Sequence, residues 1–167
     1  DIHCQGYEPY EQALEQLPAA GQQPLIAVDG ITNPQNLGMI IRSVTASPAH
    51  GLLLPAKGCA DIGPLVIKAS AGTLFKGNIL RCDSLARTLK EFKQKGFEIC
   101  TLSSHQATPL GEFKPTAPII YVLGNETEGV SKEIAALSDH RVGIPMANGV
   151  ESLNVAITAA LIAFKSL

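Results

Sequence analysis

Three short segments carry the side chains that could do chemistry, and the most informative is Ile144–Val155, reading IPMANGVESLNV. An apolar run ends at Pro145, a loop holds Asn148, Gly149 and Glu151, and a helix opens at Ser152 and Asn154 with almost no polar face behind it. Backbone N–H groups at a helix start lack intrahelical partners, so polar side chains gathered there make a ligand mouth. Ile144, Met146 and Leu153 can line an apolar slot, while Glu151, Ser152 and Asn154 supply hydrogen-bonding groups. Ser152 also suits the N-cap. The helix running to Phe164 is apolar nearly all round, which calls for burial on every side.

The second segment, Asp29–Arg42, reads as a strand end, an Asn33-Pro34 turn and a helix capped by Asn36. Leu37, Ile40, Ile41 and Val44 form its buried stripe. Gly38 and Arg42 lie one turn apart and off that stripe, so Arg42 points out of the core over a glycine that leaves space beside it. The third segment, Tyr121–Gly129, places Gly124 and Gly129 in a tight loop at a strand's carboxyl end, where open α/β sheets bind ligands. Its spacing imitates a phosphate-binding loop, but the lysine is missing and Glu126 and Glu128 would repel phosphates. Those carboxylates suit a ligand with donors or positive charge. Taken singly, the second segment reads equally well as a cap with a surface arginine, and the third as a polar glycine turn.

Other catalytic patterns are missing: there is no G-x-G-x-x-G after a strand, no H-E-x-x-H and no G-x-S-x-G. His3, His50, His105 and His140 are scattered without a partner pattern.

The elements that must position these groups alternate, which predicts an α/β domain with a mostly parallel sheet flanked by helices. Expected strands are Leu25–Val28, Gly51–Leu54, Gly77–Leu80, Phe97–Leu102, Ile119–Leu123 and Arg141–Ile144. Expected helices are Asn36–Ala46, Pro64–Ala71, one capped by Asp83 and ending at Gly96, Ser131–Leu137 and Ser152–Lys165. The stretches 55–63 and 103–117 stand out as long loops. Residues 1–23 are polar and turn-rich and read as an arm or linker, leaving 24–167 as the domain.

A length of 167 residues fits one domain, and 46% apolar with 17% charged residues describes a compact soluble chain. The longest apolar run, Leu153–Phe164, is too short for a bilayer, and no signal-peptide layout opens the chain. Cys4, Cys59, Cys82 and Cys100 show neither a C-x-x-C pair nor metal-ligand spacing, which suggests a reducing, cytoplasmic setting and no metal. A net charge of −2 argues against a free-standing nucleic-acid binder. Arg81, Arg87, Lys90, Lys93 and Lys95 read as a solvated helix face. The start at Asp1 rather than Met suggests a fragment with upstream sequence missing.

The three segments, in this order and spacing, resemble the motifs of the SpoU (TrmH-type) branch of the SPOUT methyltransferases. These are N-x-x-N-x-G-x-x-x-R, L-G-x-E-x-x-G and I-P-M-x-G-x-x-x-S-L-N-V, which Asn33–Arg42, Leu123–Gly129 and Ile144–Val155 follow, save that Asn148 stands at the glycine position of the third and Gly149 comes one residue later. The resemblance runs from Leu25 to Leu167, with small departures at Thr127 and Ala156. It implies an α/β fold with a C-terminal deep trefoil knot, S-adenosylmethionine as cofactor and a ribose 2′-hydroxyl of tRNA or rRNA as substrate. It also implies a homodimer through the C-terminal helix and an RNA-binding domain upstream of the linker. Arg42 would act at the reacting hydroxyl. Because a guanidinium with a pKa above ~12 is a poor proton acceptor, it is read as a clamp on RNA phosphate and a stabiliser of alkoxide character. Asn36 and Glu128 would position substrate and Arg42, while Ser152 and Asn154 would hold the reacting groups. The cofactor would lie on Leu123, Gly124, Asn125, Ile144, Met146 and Leu153, with Ser103 on its adenosine side. The rival readings are a non-catalytic knotted S-adenosylmethionine- or RNA-binding dimer and, more remotely, a dinucleotide-dependent oxidoreductase.

Overall fold

The computed structural model describes residues 8–16 and 23–165. In chain order the elements are β1 (Glu8–Pro9), α1 (Tyr10–Gln16), β2 (Leu25–Val28), α2 (Pro34–Ala46), β3 (Gly51–Pro55), α3 (Pro64–Ala69), β4 (Ile79–Cys82) and α4 (Leu85–Gln94). They continue as β5 (Glu98–Leu102), β6 (Thr108–Pro109), β7 (Ile119–Leu123), α5 (Lys132–Ala136), β8 (His140–Gly143) and α6 (Val155–Ala163). The strands form one eight-stranded sheet in the order β1-β4-β3-β2-β7-β5-β8-β6, and every pairing is parallel.

The central strands β2, β3 and β7 are buried along their whole length, as parallel strands covered on both faces must be. One core layer joins Ile26, Leu52 and Tyr121 to the inward stripe Leu37, Ile40, Ile41 and Val44 of α2 and to α6. The opposite layer joins Leu25, Leu53 and Val122 to Leu85, Leu89 and Phe92 of α4. Phe92 meets Phe97 edge-on with ring centroids 5.1 Å apart, a favourable aromatic geometry.

Several local expectations are corrected. The N-cap of α2 is Asn33, not Asn36: its side chain accepts from the Asn36 N–H at 3.0 Å, and Pro34 takes the first helical turn. Ser84 rather than Asp83 caps α4. Asn154 rather than Ser152 caps α6, which starts at Val155. The strand expected at 77–80 lies at Ile79–Cys82, and the last strand ends at Gly143. Within the expected arm, β1 pairs with β4, and Tyr10 and Leu14 are buried, so Glu8–Gln16 belongs to the domain's edge. The remaining arm residues, 1–7 and 17–22, lie outside those described.

Gly38 does not leave free space. A Cβ there would stand 2.5 Å from the Ala69 Cβ and 2.6 Å from the Val66 carbonyl oxygen, because α3 packs directly on it. Nor is the basic face of α4 only solvated. Lys93 Nζ donates to the Leu137 carbonyl at 2.9 Å and to the Asp139 carboxylate at 3.0 Å, tying α4 to the α5–β8 turn.

α6 is only half buried in the single chain. Val155, Ala156, Ala159, Ile162 and Ala163 enter the core, while Ile157, Leu161 and Phe164 remain 51%, 45% and 37% exposed. From β8, beyond β5, the chain returns across the carboxyl ends of β5 and β7 to lay α6 on α2, a path consistent with a C-terminal knot. Among the described residues, no helix is long and apolar enough to cross a membrane.

Candidate active site at the strand carboxyl ends

The central strand β2 sends its crossover neighbours to both sides, β3 on one and β7 on the other, and ligands in such sheets bind outside the carboxyl ends near that switch. A cleft of about 440 Å³ opens beside that switch, on the β7 side, over the segments that follow β5, β7 and β8. That size suits a nucleoside-sized ligand.

The wall after β7 is a loop closed on itself. Asn125 and Gly129 exchange both backbone hydrogen bonds, at 3.0 and 2.8 Å. A Cβ on Gly124 would stand 2.2 Å from Gly129 and Val130 backbone atoms, so only glycine permits this closure. Asn125 organises the loop with its side chain: Nδ2 donates to the Gly30 carbonyl at 3.0 Å, and Oδ1 accepts from Thr127 and Glu128 at 2.9 and 3.3 Å. Asp29, at the end of β2, accepts from the Ser131 N–H at 2.7 Å and pins the same loop from below.

The expected cofactor residues Leu123, Gly124, Asn125, Ile144, Met146 and Leu153 all line the cleft. Ser103 lines it too, with its hydroxyl donating to the His105 carbonyl at 2.9 Å. Ser152 is an exposed loop residue on the cleft wall.

The polar centre lies where α2 and α6 begin. Freed from capping by Asn33, Asn36 is 9% exposed, and its Nδ2 donates to the Glu126 carboxylate. Asn154 donates from Nδ2 to Asn36 Oδ1 at 3.2 Å, and its own Oδ1 accepts from the Ala156 N–H at 2.8 Å. A hydrogen-bonded chain Glu126–Asn36–Asn154 therefore joins the β7 loop to two helix N-termini. The resemblance as read in the sequence gives the positioning role to Glu128 and passes over Glu126. The signal was present, since the motif L-G-x-E-x-x-G sets its glutamate at 126. Glu128 lines the cleft, exposed, and the side-chain hydrogen bonds of Asn36 go to Glu126 and Asn154 instead.

Arg42 is not brought into this group: it is exposed, and its Cα lies about 9 Å along α2 from that of Asn36 at 1.5 Å rise per residue. Neither Arg42 nor the Asn36–Asn154 pair lines the cleft itself; only Glu126 of the hydrogen-bonded chain does. The cleft instead carries Glu126, Glu128 and Glu151 against a single arginine or lysine, Arg141. Its electrostatics favour a ligand bearing positive charge. Fixed amide groups, two helix N-termini and an acidic wall can orient a neutral hydroxyl beside a cationic reactant.

The model of the SpoU rRNA Methylase family matches residues 23–164. An uncharacterized tRNA/rRNA methyltransferase of Mycobacterium avium is 35% identical over 86% of this chain and 47% of its own length. A second, from Mycolicibacterium smegmatis, is 37% identical over 83% of this chain and 44% of that protein. The chain thus spans less than half the length of these relatives. The SpoU methyltransferase AviRb of Streptomyces viridochromogenes, in complex with the cofactor AdoMet, superposes with a TM-score of 0.80 at 30% identity, covering 92% of this chain and 62% of that one. An AdoMet-bound rRNA methyltransferase from Sinorhizobium meliloti shares the fold, with a TM-score of 0.84 at 24% identity over 97% of this chain and 60% of its own. The fold and these likenesses define a parallel α/β domain of the kind found in SpoU proteins. The chain belongs to the SpoU methylase family.

Proposed function

We propose that this chain is the S-adenosylmethionine-binding catalytic domain of an RNA methyltransferase that modifies a ribose 2′-hydroxyl of tRNA or rRNA. The observation that carries the reading is the Glu126–Asn36–Asn154 chain, set at two helix N-termini beside an acidic cleft. The residues fit the cofactor: Leu123, Ile144 and Leu153 offer apolar surface to an adenine ring, and Glu126, Glu128 and Glu151 offer negative charge to a sulfonium. When bound, the sulfonium supplies an electrophilic methyl group. The protein's share is mostly placement, which can account for much of the acceleration of such a transfer. Asn36 is held by Glu126 and holds Asn154, so the two helix starts behind the cleft wall are fixed before substrate arrives. Ser152 adds a hydroxyl at the cleft wall. The exposed position of Arg42 supports a grip on RNA phosphate outside the cofactor cleft.

The same reading takes the segment 144–154 as the threaded part of a knot and the outer face of α6 as a homodimer contact. Exposed Ile157, Leu161 and Phe164 support the latter.

Calorimetry with S-adenosylmethionine and NAD, paired with transfer of a tritiated methyl group to total RNA, tests the proposal. We expect binding of S-adenosylmethionine alone, with label recovered in alkali-resistant dinucleotides. Arg42→Ala should abolish transfer and leave cofactor affinity within a few-fold. Cofactor binding without any transfer by the unaltered protein would return the non-catalytic reading, and label in bases would exclude the ribose.

A further inference from the structure

The structure assigns Arg141 a role in ligand selection: we propose that its guanidinium pairs with the carboxylate of the cofactor's amino-acid end. This rests on the S-adenosylmethionine reading above. Arg141 lies on β8, in register with Thr101 of β5, and lines the cleft from that side. Among the described residues it is the only arginine or lysine that lines the cleft, and its side chain makes no hydrogen bond or ion pair with any of them. Its surroundings otherwise carry Glu126, Glu128 and Glu151. Those carboxylates favour the sulfonium and ammonium groups of the ligand but oppose its carboxylate. A free guanidinium within the same cleft removes that conflict, because its planar fork matches a carboxylate with two parallel hydrogen bonds. The acidic lining also disfavours the alternative partner, an RNA phosphodiester, whose neighbouring phosphates would add further negative charge.

Decarboxylated S-adenosylmethionine keeps the sulfonium and amine but lacks the carboxylate, so it isolates the contact. The wild-type protein should bind S-adenosylmethionine roughly tenfold tighter than this analogue, as befits a charge-assisted bidentate pair. Arg141→Gln should weaken S-adenosylmethionine by a similar factor, leave the analogue within about twofold, and so erase the preference. Arg141→Lys, a point charge without the fork, should keep part of it, and it serves equally if the glutamine variant fails to fold. Equal weakening of both ligands, or no change in either, would overturn the inference. So would a loss confined to RNA affinity, which would mark the arginine as a phosphate contact. Failure of the wild-type protein to bind either ligand would overturn the cofactor reading itself.

Discussion

Asn154 Nδ2 lies 3.2 Å from Asn36 Oδ1 and joins two helix starts 118 positions apart in the chain. Each residue has a second duty. Asn154 caps α6 through Oδ1, and Asn36 is held by Glu126. The amide is required because it donates from one atom while accepting at the other.

That division predicts separable effects at Asn154. Asn154→Asp keeps an acceptor for the cap but removes the donor to Asn36. It should therefore unfold close to the wild-type temperature yet lose methyl transfer on the order of 10²-fold, the scale of a misplaced reacting group. Asn154→Ala should lose the cap as well, costing about 0.5–2 kcal/mol. Thermal melts with single-turnover transfer would check both. An aspartate variant with full activity would remove the amide chain from the reaction.

Gly38→Ala tests the packing that sets the angle of α2. Alanine gains about 0.5–1 kcal/mol over glycine from helix propensity. The new methyl, however, would meet the Ala69 Cβ at 2.5 Å and the Val66 backbone oxygen at 2.6 Å, and overpacking of this kind costs about 1–3 kcal/mol. Backbone cannot swing aside as a side-chain tip can, so the clash should win and the melting temperature should fall. A rise would show that α3 is free to retreat.

Local pattern made much of this legible. The 0, 3, 4, 7 spacing of Leu37, Ile40, Ile41 and Val44 reports a buried stripe whatever lies opposite, and the runs at Leu25–Val28 and Ile119–Leu123 could serve only as covered strands. Positions within one turn were harder. Asn33 and Asn36, like Ser152 and Asn154, are both capable caps, and only backbone geometry chooses between them. Long-range partners leave no local trace at all. The Glu126–Asn36 bond spans 90 positions, β1 is two residues pairing with a distant β4, and the crowding of Gly38 comes from α3 rather than from its own helix. Motif order brought Asn36 and Asn154 into one site. It could not show that Arg42 stands apart from them.

The outer face of α6 gives a third prediction. Burying Ile157, Leu161 and Phe164 against a second copy would remove a contiguous apolar surface from water, the main favourable term in such association. The wild-type chain should scatter light as a dimer at micromolar concentration. Leu161→Glu, at a site already 45% exposed, should give a folded monomer with wild-type circular dichroism. A wild-type monomer would remove this face as the contact.

Asp139 gives the domain a defined sensitivity to acid. Its burial alone would raise its pKa, but the Ile99 N–H bond at 2.8 Å and the Lys93 ammonium outweigh that and hold the carboxyl below its ordinary 3.8. His140 nearby adds in the same direction. A carboxylate whose folded pKa is depressed stabilises fully above its unfolded pKa, and that contribution disappears as pH falls through the folded value. The window therefore lies below about pH 4. With both partners 32% exposed, solvent screens the pair, so Asp139→Asn should cost only about 0.5–1 kcal/mol at neutral pH. The gap between the variant and the wild type, measured by denaturant melts, should be full above about pH 4 and shrink as pH falls through the folded carboxyl's pKa, which lies below 3.8. High salt should narrow it at neutral pH, because the Lys93 contribution is screened while the Ile99 bond is not. A gap that showed no narrowing anywhere in the acid range would mean that the carboxylate charge contributes nothing, and that Asp139 acts only by filling space.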